Sequence, residues 1–249
     1  MTSPSTNTSS TWVAGADGFR DGWVIVLHRP STGTTRCRTV DGVDALLDLP
    51  EAPAVVGVDM VIGLPDRAEP GGRACDRAAR QLLGHPRGSS VFSPPAYDTL
   101  GADTYDEALR RNRASGPDAP GLTKQTYHLL PKMRALAEHM TPARQERVRE
   151  VHPELAFYAM NNDAPVAESK HTEAGQDRRI ELLTAHGFSP IESILSHLAG
   201  GALGADDVLD AHAACWTARR IRDDTAERCP PRPEPAPRND RGLQMEIWR

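Results

Sequence analysis

The segment that most constrains this chain is Ala54-Val55-Val56-Gly57-Val58-Asp59-Met60-Val61-Ile62-Gly63-Leu64-Pro65. A short apolar run, rich in valine and bounded by turn residues, reads as a strand buried inside a sheet. That strand is expected over 54–61. It carries one carboxylate, Asp59, and a buried carboxylate must be hydrogen-bonded, paired or bound to a cation. Gly63 and Pro65 punctuate the chain just beyond, so Asp59 belongs where the strand leaves the sheet. In open α/β sheets that edge is where ligands bind. The plainer alternative is that Asp59 caps the following turn, as aspartates commonly do.

The flanking sequence supplies the rest of an α/β pattern. Apolar strands over 12–16 and 22–28 are joined by a loop containing Gly18, Asp21 and Gly22, which predicts a hairpin with Asp17 at the end of its first strand. Residues 36–40 offer a third antiparallel strand and 43–47 a short helix. Helices are expected over 71–84, 104–113 and 126–139. The first presents Arg73, Arg77 and Arg80 on one face, ordinarily a solvated one, and a turn-rich loop follows at 85–95. A strand is expected over 147–151, and His152-Pro153-Glu154 opens a helix that runs to Met160. Two more helices follow, one ending at Gly187 and one over 190–199, and then a buried amphipathic helix over about 206–222. A proline-rich stretch at 229–238 reads as extended loop, and 243–248 as a last short strand. Residues 1–10 read as a disordered tail. With no internal repeat or linker, residues 11–249 read as one domain with a helical insertion at about 66–145.

Composition narrows the partners. The net charge of −5 provides no global attraction to nucleic acid or to an acidic membrane surface, so phosphate recognition would need a local basic patch. Four scattered cysteines, none in CxxC spacing, argue against a zinc site and for a reducing compartment. The Ser/Thr-rich start has neither a basic nor an apolar targeting region. No apolar run reaches the ~18 residues of a membrane helix. A cytoplasmic protein without a membrane partner is the expectation.

Carboxylates then recur in comparable places. Asp17 ends a strand, Asp59 lies late in a buried one, and Asp207 and Asp210 stand three apart on one face of a buried helix. Glu150 and Glu154 flank His152-Pro153. Hard cations such as Mg²⁺ take oxygen ligands, and three or four carboxylates can hold two ions ~4 Å apart for phosphodiester hydrolysis. Without metal such a cluster repels itself and raises its own pKa values. Ordinary roles compete: Asp206 and Asp207 suit the first turn of a helix as caps, and Glu150 suits a strand edge. Asp210, between Leu209 and Ala211, has no such easy explanation. His152 reads as a structural histidine, since no second histidine stands at a ligand spacing. Lys124, Lys132 and Lys170 could contact phosphate or lie on solvated surfaces.

These residues resemble the DUF429 family of predicted nucleases with a ribonuclease H-like fold. The matching stretches are Gly15-Ala-Asp17-Gly with Gly22-Trp23, Val58-Asp59-Met-Val-Ile-Gly-Leu-Pro65, Ser89-Ser-Val-Phe92, Gly121-Leu-Thr-Lys-Gln125, Glu150-Val-His-Pro-Glu154, Ser169-Lys170 and Asp206-Asp207-Val-Leu-Asp210-Ala. The last is also similar to the terminal helix of RuvC-type resolvases, which opens with two aspartates three apart. The resemblance implies a mixed sheet that starts with an antiparallel hairpin, continues in parallel strands and carries helices on both faces.

The same superfold includes actin-like ATPases and sugar kinases, so fold alone does not select an activity. Only one strand-hairpin-strand unit is present, which weighs against a kinase. The acidic net charge and few aromatics weigh against a nuclease. The leading expectation is a Mg²⁺- or Mn²⁺-dependent nuclease acting on nucleic acid or nucleotide. Asp17, Asp59 and Asp207 would be metal ligands, Asp210 or Glu150 would complete a second site, and Lys124 or Lys170 would neutralise the scissile phosphate. The alternatives are a nucleotide-binding ATPase or phosphotransferase, and a non-catalytic binding protein.

Overall fold

A computed structural model describes residues 12–20, 22–198, 203–231 and 235–249. The expected tail at 1–10, and Asp21 of the expected hairpin loop, lie outside these. Three antiparallel strands come first: β1 (Val13–Phe19), β2 (Gly22–Arg29) and β3 (Thr34–Val40). The hairpin is tighter than the sequence suggested, because Gly18 and Gly22 both pair within the ladder. Asp17 therefore lies inside β1 rather than at its end.

After helix α1 (Val43–Leu47) comes β4 (Val56–Asp59), parallel to β1. It is shorter than the apolar run, and Asp59 is its last residue. Val61 and Ile62 continue into a buried loop. Helices α2 (Ala74–Leu83), α3 (Tyr105–Ala114), α4 (Lys124–His139) and α5 (Pro142–Gln145) lie between β4 and β5 (Val148–Glu150), which is parallel to β4. The sheet order is β3-β2-β1-β4-β5. Then come α6 (Pro153–Met160), α7 (Glu173–Ala185), α8 (Ile191–Leu198) and α9 (Ala205–Arg222). A two-residue pairing of β6 (Arg228–Cys229) with β7 (Ile247–Trp248) closes the described chain. The expected strand at 243–248 is thus confined to its last residues, and part of the expected loop at 229–238 lies outside the described residues.

Period-2 alternation divides the sheet's side chains between two cores. Ala14, Ala16, Ile25, Leu27, Val56 and Val58 face α1 and α4, against Leu46, Met133 and Leu136. Val13, Val24 and Val26 face α6, α7 and α9, against Phe157, Leu183 and Leu209. Helices therefore cover both faces of a mixed sheet, a ribonuclease H-like α/β architecture.

Helix α9 is less amphipathic than its sequence implied: every residue from Val208 to Ala218 is buried. Its close seat on the sheet depends on two glycines that are partners in the β1–β4 register, Gly15 and Gly57. A Cβ at Gly15 would stand 2.1 Å from the Cys215 backbone nitrogen, and one at Gly57 would stand 2.6 Å from the Ala214 carbonyl oxygen. Helix backbone thus lies directly on strand backbone, and this draws the first turns of α9 onto the carboxyl-terminal edge of β1 and β4.

Candidate metal centre

The β1–β4 register pairs Asp17 with Asp59 two residues beyond the Gly15–Gly57 pair. Side chains two apart share a face, so both carboxylates project on the side where α9 sits. Asp210 lies on α9 one residue before Ala211, whose carbonyl oxygen contacts the Gly15 position. One oxygen from each of Asp17, Asp59 and Asp210 lies within 4.8 Å of the others. Strand residues 42 apart and a helix residue 151 further on thus converge on one point.

The electrostatics of this cluster are unfavourable in the absence of a cation. Burial, then repulsion from Asp59, Asp210 and Asp207, pushes the Asp17 carboxyl well above the usual range. Burial raises Asp59 to about 7, with Lys170 opposing and Glu154 adding to the rise. Burial also raises Asp210 to about 7, against the pull of Lys170. The Asp17 Oδ1 accepts from the Gly18 N–H at 2.7 Å. Asp210 is only 3% exposed, and its Oδ2 accepts from the Lys170 ammonium at 2.6 Å. Its Oδ1 is buried with no hydrogen-bond partner. An orphaned carboxylate oxygen beside two further carboxylates is a donor set without its acceptor.

The other expected site residues divide sharply. Lys170 lies in the cluster, 4.0 Å from Asp206 as well as against Asp210. Burial alone would lower its pKa, but Asp210, Asp59 and Asp17 raise it, so it stays charged. Asp207 borders the same hollow, but its Oδ2 accepts from the Gly204 N–H at 2.8 Å, the capping role its position at a helix start suggested. Glu150 also borders it, with both oxygens occupied: Oε2 accepts from the Ile62 N–H at 2.6 Å and from Arg73 at 2.9 Å, and Oε1 accepts from Arg73 as well. Lys124 opens α4 on an exposed turn and lines neither hollow of the site. Gln125 and Leu129 on that helix do line it.

The residues that support the cluster carry no signal in the local sequence. Arg73, expected on a solvated face, is 3% exposed. It binds Asp76 through Nε and Nη2, and also reaches the Ile62 carbonyl. It thereby ties α2 and β5 to the loop that follows Asp59. Glu154 is bound at 2.6 Å by Arg179, which is fully buried. Lys132 donates to the Gly22 carbonyl at 2.9 Å and braces the hairpin beside Asp17. Nothing in the local pattern marks these arginines as buried. An acidic residue in a buried strand, such as Glu150, was the only available hint that a cation must pair with it.

Two hollows of about 270 and 240 Å³ meet at the cluster and share Asp59, Ser90, His152, Lys170 and Asp210. Met60, Val61, Phe92 and Leu129 line the first, while Ser89, Ser169 and His171 line the second. His152 has a buried, unpartnered Nδ1, and burial lowers its pKa. A larger hollow of about 660 Å³, lined by Leu82, Cys229 and Arg249 among others, contains none of the carboxylates.

Fold and site together define an α/β protein with a carboxylate cluster at the carboxyl edge of a ribonuclease H-like sheet. The chain belongs to the family described as "Protein of unknown function (DUF429)", which matches residues 15–235. No curated protein and no solved structure gave a significant match.

Proposed function

We propose that this protein is a divalent-cation-dependent phosphodiesterase acting on nucleic acid or nucleotide, with Mg²⁺ or Mn²⁺ held by Asp17, Asp59 and Asp210. The observation that carries the reading is the convergence of three carboxylates, one of them with an orphaned, buried oxygen. Donor chemistry and spacing suit a hard cation. Oxygens on one octahedral Mg²⁺ stand ~3 Å apart when cis and ~4.2 Å when trans, so three oxygens within 4.8 Å of one another close on an ion by side-chain adjustment.

A cation bound there supplies Lewis acidity and an activated water. The remaining work falls to the chain itself. Strands β1 and β4 hold Asp17 and Asp59 rigidly, and the Arg73–Glu150 pair fixes the loop after Asp59. Lys170 offers an ammonium to a phosphate oxygen, and Ser90 and His152 border the floor where that phosphate would lie. Phe92, Leu129 and Val61 supply an apolar wall suited to a base. The four cysteines are free, which supports a reducing, cytoplasmic setting. Among the described residues no helix is long and apolar enough to cross a membrane.

The test is cleavage of end-labelled single-stranded and duplex oligonucleotides with Mn²⁺. Cleavage is expected in wild type and lost with EDTA. It is also expected to be lost in folded Asp17→Asn and Asp59→Asn. Cleavage that survives in both variants would sink the proposal.

A further inference from the structure

A carboxylate cluster on this fold invites a two-ion reading, and the structure shows how many ligands are free to serve. Asp207 spends an oxygen on the Gly204 N–H. Glu150 has both oxygens on Arg73, one of them also on the Ile62 N–H. Glu154 is paired with the buried Arg179. Each of these commitments is structural: a helix cap, a clamp between α2 and β5, and a tie between α6 and α7. The three carboxylates whose oxygens converge are Asp17, Asp59 and Asp210, and one Asp210 oxygen is already taken by Lys170 at 2.6 Å. A second hard cation would draw on the same carboxylates, and the Lys170 ammonium already stands 2.6 Å from one of them.

We infer that the site takes one divalent cation, held by Asp17, Asp59 and the orphaned Asp210 Oδ1, and that the Lys170 ammonium occupies the place of a second. The inference rests on the phosphodiesterase reading for the cation, and it assigns the chain's own residues their shares. Lys170 fits the role because it is bound to the ligand carboxylate, lies 4.0 Å from Asp206, and borders both hollows where they meet. Its hydrogen bond leaves Asp210 with Oδ1 directed to the cation, as outer partners orient metal-bound carboxylates generally. The ammonium would then stand beside a phosphate drawn to that cation, at the place where the two hollows meet.

The experiment is Mn²⁺ binding to the full chain, followed by calorimetry for stoichiometry and by electron paramagnetic resonance for ion–ion coupling. Wild type is expected to bind one Mn²⁺ with an uncoupled six-line spectrum, even at millimolar metal. Lys170→Gln, which keeps a hydrogen bond to Asp210, and Lys170→Met are expected to admit a second, weaker Mn²⁺ and to show a coupled spectrum. Lys170→Arg should keep a stoichiometry of one. Two ions in wild type would overturn the inference and leave the metal site standing. One ion in wild type with unchanged binding in folded Lys170→Gln would also overturn it, because the ammonium would then exclude nothing. No Mn²⁺ bound at all would overturn the phosphodiesterase reading itself.

Discussion

Asp59→Asn should make the metal-free protein more stable, and the gain should grow with pH. Burial raises the carboxyls of Asp59 and Asp210 to about 7 from an ordinary 3.8. An acid whose folded pKa lies above its unfolded value binds more protons folded than unfolded between the two. Stability is therefore highest below about pH 4, falls as pH rises towards 7, and stays low above it. At ~1.4 kcal/mol per pH unit, a gap of about three units amounts to about 4 kcal/mol for one group. Asp59 is partly exposed, so screening reduces that ceiling, and about 2 kcal/mol at pH 8 is the expected gain. At pH 4.5 the gain should shrink towards zero. Urea unfolding of EDTA-treated wild type and variant from pH 4.5 to 8 measures it directly. Saturating Mn²⁺ should then reverse the order, stabilising wild type by ~2.7 kcal/mol at a hundredfold excess over Kd and leaving the variant unmoved. A variant less stable than wild type at pH 8 without metal, or a difference independent of pH, would refute the electrostatic account of the cluster.

Other outcomes follow from individual contacts. Gly15→Ala places a methyl 2.1 Å from the Cys215 nitrogen, and overpacking backbone against backbone should cost about 3 kcal/mol or more in unfolding free energy. Because α9 must move away, Mn²⁺ affinity should fall as well. Arg73→Ala strands Glu150 and Asp76 in the interior and should cost about 3–5 kcal/mol by denaturant titration. Asp207→Ala should lose about 0.5–1 kcal/mol with the contact from the third helical position back to the Gly204 N–H while Mn²⁺ affinity stays at the wild-type value; a loss of affinity would make Asp207 a ligand. Lys124→Ala should leave cleavage unchanged, since Lys124 stands on an exposed turn outside both hollows.

Local pattern was enough to expect most of the strands and long helices and to single out Asp17, Asp59 and Asp210 as candidates, though not the short elements α5 and β6. An apolar run is buried, so Asp59 near its end read as either a site carboxylate or a turn cap, and Asp210 between Leu209 and Ala211 read as a carboxylate on a buried helix. Both readings depend only on local hydrophobic periodicity, which a linear sequence records directly. What the sequence left open was which carboxylates meet. That was decided by the β1–β4 register, which sets Asp17 beside Asp59, and by the two glycines that let α9 bring Asp210 against them. Tertiary structure also separated ligands from supports. Glu150 is 77 residues from Arg73 and Asp210 is 40 residues from Lys170. Pairings at such separations leave no periodic trace, because they are chosen by packing between elements whose order in space the local pattern does not encode. A carboxylate's chemistry is legible from its neighbours in sequence, but its role is set by the cation that packing brings to it.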